Sequence, residues 1–236
     1  MDGFTYHNLF ETKGIEYLII IAFLVLIIPF WMIINKPVKI TSRLKRTFGI
    51  LSASILRVPG GLFYSRNHTW THLEKSGNAK VGLDDLLLHL TGEVDLNNLK
   101  TPGTRVLKGE MLTEVVQNGK TLSIVSPISG EIVSTNRMLD EDPALLNEDP
   151  YGKGWICKIR PSAWVAETST CHFAGEAAEW LKLELDRFKD FLAVSARRNS
   201  TDASPVYMQD GGELIDNALA AMPGEVWSDF QESFLK

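Results

Sequence analysis

The sequence predicts a mainly β domain of the barrel-sandwich kind, preceded by one N-terminal transmembrane helix and followed by a helical C-terminal extension. Three observations predict it. Between Arg105 and Val133, short apolar runs (Arg105-Val106-Leu107, Met111-Leu112, Val115-Val116, Leu122 to Val125, Glu131-Ile132-Val133) alternate with Gly, Pro, Asn and Ser, the pattern of small antiparallel strands joined by tight turns. From Tyr17 to Ile34 the chain is uninterruptedly apolar. Beyond residue 174, Leu181, Leu185, Phe188 and Leu192 recur at helical spacing, joined by Trp180 and Phe191.

Residues 1–16 lead in with Asp2, Glu11 and Glu16, an acidic start that argues against a cleaved signal peptide, as does the absence of a small-residue cleavage site after the apolar run. Residues 17–35 form the predicted span, reaching roughly 27 Å at about 1.5 Å per residue. Tyr17, Phe30 and Trp31 stand near its ends, where interfacial aromatics belong. Lys36, Lys39, Arg43, Lys45 and Arg46 follow it, against Lys13 alone before it, so the rule that positive flanks stay inside places everything after the span in the cytosol. In residues 36–62, Ile40, Leu44, Phe48, Leu51 and Ile55 recur at helical spacing with Arg43, Lys45, Arg46 and Arg57 on the other sides. That is an amphipathic helix, lying either on anionic lipid or against protein. Pro59-Gly60-Gly61 ends it.

Residues 63–162 hold the β domain, and about a hundred residues suffice for one such core. Pro102-Gly103 and Ser129-Gly130 supply turns, and Asn118-Gly119 is the preferred two-residue hairpin turn because both residues tolerate positive φ. Four signatures in order carry a family resemblance. They are His68-Thr69-Trp70; Val81-Gly82-Leu83 with Leu90-Thr91-Gly92-Glu93; Gly109 through the hairpin to Ser126-Pro127-Ile128-Ser129-Gly130; and Asn147-Glu148-Asp149-Pro150-Tyr151-Gly152-Lys153-Gly154-Trp155 with Lys158-Ile159-Arg160-Pro161-Ser162. This stretch, from about Tyr64 to Ser162, resembles the H protein of the glycine cleavage system, a member of the lipoyl-domain superfamily. The resemblance implies a carrier whose lipoylated lysine lies ten residues after the glycine before the rising strand and eight before the proline that ends the descending one. Both counts, forward from Gly109 and back from Pro127, fall on Gly119. The acidic residue that the family places three before its lysine falls on Val116. Lys120, one step along, is the first residue of the returning strand, opposite Gln117.

In residues 163–236 a helix of about six turns over Ala174 to Arg197 is followed by a polar linker, Asn199 to Pro205. A second helical stretch is expected from near Glu213, interrupted at Met222-Pro223-Gly224, with Val226, Trp227, Phe230 and Phe234 lining one side of a final short helix. Large aromatics at this spacing either anchor in a partner's groove or fold back on their own domain. Trp227, Phe230, Phe234, Leu181, Leu185, Phe188 and Leu192 are therefore the candidate partner-binding residues.

Catalytic signals are thin. The histidines (His7, His68, His72, His89, His172) are scattered, Cys157 and Cys171 are expected to stay reduced in the cytosol, and Cys171-His172 lacks a second ligand pair for a metal. No phosphate loop, nucleophile elbow or His-Glu-x-x-His is present. A net charge of −5 with 22% charged residues gives no basic character for nucleic acid. The expectation is a non-enzymatic, cofactor-free subunit of the inner membrane, its C-terminal domain cytosolic, that docks or organises protein partners in a larger membrane complex. The alternative is a lipoyl carrier of glycine-cleavage type with covalent lipoate on Lys120, passing aminomethyl or reducing equivalents.

Overall fold

A computed structural model describes residues 9–34, 49–198, 208–209 and 213–236. The chain divides into two compact units, Met1–Thr47 and Phe48–Lys236. In the first, α1 (Leu9–Ile34) contains Pro29. Its described side chains are those of residues 16–31, all exposed. Among the described residues no helix is long and apolar enough to cross a membrane. The basic amphipathic segment expected over 36–62 lies outside the described residues as far as 48.

The second unit runs β1 (Ile50–Leu51), β2 (Phe63–Tyr64), β3 (Thr69–Leu73), β4 (Ala79–Leu83), α2 (Asp85–Thr91), β5 (Asp95–Asn97), β6 (Arg105–Val106), β7 (Met111–Gln117), β8 (Lys120–Val125) and β9 (Gly130–Thr135). It continues through α3 (Met138–Glu141), α4 (Leu145–Glu148), β10 (Cys157–Pro161), α5 (Trp164–Thr168), β11 (His172–Phe173), α6 (Gly175–Arg198), β12 (Met208–Gln209), β13 (Glu213–Ile215) and α7 (Gly224–Phe234). One sheet has the order β11-β2-β3-β4-β10-β9-β6, a second β5-β7-β8, and a third β1-β13-β12. This is the mainly β core that the alternating pattern predicts. Along β8, Leu122 and Ile124 point inward while Lys120, Thr121, Ser123 and Val125 keep some exposure, the period-two burial of a strand with one face on the core.

Close packing sets the sheet's centre. Gly82 of β4 faces Trp70 of β3 across the ladder, and a Cβ at Gly82 would sit 2.6 Å from the Trp70 ring. Only a residue without a side chain lets that fully buried indole lie flat on the strand.

Residues 49–62 belong to the β unit and are not a helix where described. Ile50 and Leu51 pair with Ile215 and Leu214, and Leu51 and Leu214 are both buried. A strand of two residues leaves no periodic trace, so helical spacing over 40–55 was a misleading signal there. Residues 213–222 likewise form a strand and turn where a helix was expected. Their backbone hydrogen bonds go to other elements: Asp216 N to Gly49 O (2.9 Å), Asn217 N to His89 O (2.8 Å) and Leu219 N to Leu90 O (3.0 Å).

The two helices of the extension do form, and their apolar faces are already covered. Leu181, Leu185, Phe188 and Leu192 of α6 and Trp227, Phe230 and Phe234 of α7 are all buried in one core with the barrel's Leu122 and Ile124. Phe188 meets Phe230 edge-on at 5.7 Å, and Phe230 stacks on Phe234 at 4.7 Å. The partner-binding role expected of these seven gives way to internal packing, because α6 and α7 present their stripes to each other and to the sheet.

Gly82→Ala is expected to lower stability by about 1–3 kcal/mol through overpacking against Trp70, seen as an earlier denaturant midpoint at unchanged slope. An unaltered midpoint would refute the tight Trp70–Gly82 contact.

Candidate functional site

The site is the tip of the β7–β8 hairpin. Asn118 (φ 49°) and Gly119 (φ 78°) form the two-residue turn, the left-handed pair that matches strand twist. Gln117 and Lys120 flank it as opposed partners. Gln117 Nε2 donates to Thr91 O (2.6 Å) and Glu93 O (2.9 Å), which fixes the tip against the end of α2.

Lys120 leaves the returning strand toward the C-terminal segment. Its Nζ donates to Ala220 O at 2.5 Å and Met222 O at 2.9 Å, and it lies 4.9 Å from the centroid of the Trp227 ring. Trp227 Nε1 in turn donates to Leu219 O at 2.7 Å, so the same turn is gripped from both sides. Burial pulls the Lys120 ammonium below its ordinary pKa. Three residues on, the outer edge of β8 is closed by a side chain. Ser123 N donates to Gln231 Oε1 (2.7 Å) and Gln231 Nε2 to Ser123 O (3.1 Å), a primary amide standing where a neighbouring strand's peptide would be.

A second clamp holds the beginning of the C-terminal segment that runs from β13 through α7, called the strap below. His89 Nδ1 lies 2.7 Å from Asp216 Oδ1, and Nε2 lies 3.4 Å from Asp85 Oδ2. Asp85 also accepts from Arg57 Nη2 (2.6 Å), Nε (3.1 Å) and the Arg57 backbone N (2.9 Å). Burial opposes charge on His89, yet Asp216 and Asp85 outweigh it and raise its pKa to about 9. Burial likewise opposes charge on Asp85, and His89 and Arg57 reverse that effect and lower it. His68, at positive φ before β3, makes a parallel pair: Nδ1 lies 2.8 Å from Asp84 Oδ2, whose other oxygen caps α2 by accepting from Leu87 N at 2.9 Å. Trp180 of α6 is sandwiched between the His68 and His172 rings at 5.3 and 4.8 Å.

The remaining candidates do not converge. His72 is exposed and meets Gly61 O, His7 lies outside the described residues, and Cys157 and Cys171 are free thiols. Among the described residues no three His, Cys, Asp or Glu side chains gather at metal distance.

The model of the Glycine cleavage H-protein family matches residues 62–183, just over half of the chain. The chain belongs to the glycine cleavage H-protein family. The "Probable glycine cleavage system H protein" of Pyrococcus abyssi is 35% identical over 126 residues, 53% of this chain and 93% of that protein. The "Glycine cleavage system H protein" of Alkalilimnicola ehrlichii is 41% identical over 108 residues, 44% of this chain and 81% of that protein. A crystal structure of the H protein of Mycobacterium marinum is 29% identical, covering 44% of this chain and 87% of that one with a TM-score of 0.42. Members of the family are lipoyl carriers and not catalysts, which agrees with the absence of a catalytic motif in the sequence. The family carries its lipoate on a lysine, so family membership does not support the expectation that the protein has no cofactor.

The residues at this H-protein tip do not fit that group. Gly119 projects into open space but has no amine. Lys120, the single lysine between Met111 and Val125, has its amine engaged by two carbonyls and a ring. Sequence reasoning placed Lys120 correctly on the strand and missed what it touches, because its partners lie a hundred residues away. Gln231 and Asp216 were missed for the same reason, as were the partners of His89 and Arg57, and no local pattern marks these contacts.

Two outcomes are expected. His89→Gln should destabilise the β unit by about 2 kcal/mol below pH 6.5. Because the folded pKa of His89 is raised, its contribution is complete below the unfolded value and lost as pH rises through about 9. The gap from wild type in thermal melts should therefore narrow above that pH, and a pH-independent gap would contradict the clamp. Gln231→Ala should speed amide exchange at Ser123 and through α7 while leaving β3 and β4 protected, and unchanged exchange at Ser123 would show that the edge is closed by something else.

Proposed function

We propose that this chain is a non-lipoylated member of the H-protein family, held at the inner membrane by its N-terminal apolar segment, with the β unit cytosolic, where it docks or organises a larger protein complex. The observation that carries this reading is the fate of Lys120. A carrier arm needs a free amine at the hairpin apex; here the apex is glycine and the adjacent ammonium is held by Ala220, Met222 and Trp227. Losing the arm leaves the fold and its surfaces, and a fold is readily put to a different use from that of its relatives.

The anchor rests on the run Tyr17 to Ile34 and the basic residues that follow it. The side chains described on α1 span about 24 Å at 1.5 Å per residue, short of the roughly 30 Å of a hydrocarbon core. The sequence run continues three residues further, to Ile34. Those side chains are exposed in the isolated chain, Tyr17 by 64% and Trp31 by 67%, and a contiguous apolar surface of that kind calls for lipid or a partner. Because the faces of α6 and α7 are buried, the docking surface lies elsewhere on the β unit.

A second reading is favoured by the family itself, a lipoyl carrier modified at Lys120 that passes aminomethyl or reducing equivalents. Intact-mass measurement of the protein from its own host separates the two. The expected mass is that of the unmodified chain, and an added lipoyl group mapped to Lys120 would overturn the first reading. Alkaline carbonate washing of membranes tests the anchor: the full chain should stay in the pellet and a chain lacking residues 9–34 should not. Release of the full chain would refute the anchor.

A further inference from the structure

We infer that Lys120 is a masked modification site, at which an acyl group on the amine and the seating of the C-terminal strap on the hairpin exclude one another. This deepens the reading above and rests on Lys120 being unmodified when the strap is seated. The argument is geometric. Three features of the ammonium hold the strap: it donates to two carbonyls of the turn that leads into α7, it carries charge, and it lies on the Trp227 ring. An amide at the same nitrogen keeps one N–H, carries no charge and adds a carbonyl carbon within a bond length of Nζ. The second hydrogen bond, the charge assistance and the cation–π contact are then lost together. The acyl carbon also needs space now filled by Met222 O and Trp227, which approach Nζ at 2.9 and 4.9 Å.

Other contacts of the strap are separate from Lys120. The strap's other ties to β8 are the Gln231 amide on Ser123 and the packing of Trp227, Phe230 and Phe234 in one core with Leu122 and Ile124. The start of the strap is held independently by Asp216 on His89 and by β13 on β1. The segment from Ala220 through α7 is the part that acylation displaces; moving it withdraws Met222, Val226 and Trp227 from the core and breaks the Gln231 pair, while β13 stays held. Displacing α7 with it uncovers the outer edge of β8, whose Ser123 N–H and C=O lose Gln231, and the Trp227 face.

The reaction needs an activated acyl donor such as a thioester or acyl adenylate. The deprotonated amine attacks the acyl carbon, a C–N bond forms, the donor's C–S or C–O bond breaks, and the nitrogen releases a proton to water.

The test uses the full chain with Nε-acetyl-lysine incorporated at position 120, and at exposed Lys75 as control, read by hydrogen–deuterium exchange. The expected result is at least tenfold faster exchange for the amides of α7 and Ser123, with β3 and β4 unchanged and no effect from position 75. Unchanged α7 exchange would overturn the inference. So would loss of protection throughout the β unit, because Lys120 would then be a structural residue and not a local latch. A second measurement needs no altered residue. Under limiting acetyl N-hydroxysuccinimide ester, Lys120 of the wild-type chain should acylate at least tenfold more slowly than Lys75, and faster in Gln231→Ala; equal rates for Lys120 and Lys75 in wild type would also overturn it. The two failures are distinguishable: native lipoylation at Lys120 defeats the proposed function, whereas an unmodified native chain whose strap tolerates acetylation defeats only the latch.

Discussion

One ammonium group couples the β7–β8 hairpin to the C-terminal segment of the β unit. Lys120 is placed by a two-residue turn whose geometry admits no slack, and a one-residue slip would send its side chain to the opposite face of the sheet. From that face it reaches the carbonyls of Ala220 and Met222, which the chain's turn before α7 leaves without helical partners. Satisfying those carbonyls lets α7 begin against β8, and Trp227, Phe230 and Phe234 then enter the core. The positioning of the C-terminal helix thus depends on where the hairpin turns.

Around α2 the structure solves a harder electrostatic problem. Asp84 and Asp85 are adjacent and almost wholly buried, and two neighbouring carboxylates out of water repel each other and are poorly solvated. Each has its own imidazole, His68 for Asp84 and His89 for Asp85, and Asp85 has Arg57 as well. The charges are therefore offset locally, and the same groups do mechanical work: Asp84 caps α2, Arg57 also reaches Asn147 O and Glu148 O, and His89 holds the strap through Asp216. Such a network contributes less net stability than its distances suggest, because desolvation cancels much of it. Its effect is to specify which segments meet.

How much of this could be read from the chain alone follows from the range of each interaction. The β7–β8 turn and the position of Lys120 were legible because Asn118-Gly119 is a local signal of two residues, and α6 was legible because Leu181, Leu185, Phe188 and Leu192 repeat. The strand at Ile50-Leu51 was not: two residues cannot show a period, and the spacing of Ile40, Leu44, Phe48 and Leu51 suggested a helix. The turn over residues 216–222 was also hidden, since its hydrogen bonds go to His89, Leu90 and Gly49 and none of them is adjacent in sequence. The aromatic stripe of α7 was seen correctly as sticky, but stickiness does not say which surface will cover it. Here that surface was the chain's own hairpin.

Glycine at the apex and a strap over the neighbouring lysine are consistent with each other for a physical reason. A swinging arm needs a tip that stands clear of the domain, because anything packed beside it restricts the arc the arm can sweep. Once the apex residue has no side chain to carry, that requirement lapses, and the edge of β8 becomes an exposed strand that must be paired or covered to avoid unwanted association. Gln231 and Trp227 cover it. Their fit to Ser123 and Lys120 in turn leaves no room for an arm attached at Lys120 while the strap is seated, so a carrier of the family's kind could work from this hairpin only by first giving up the contact that holds α7 in place.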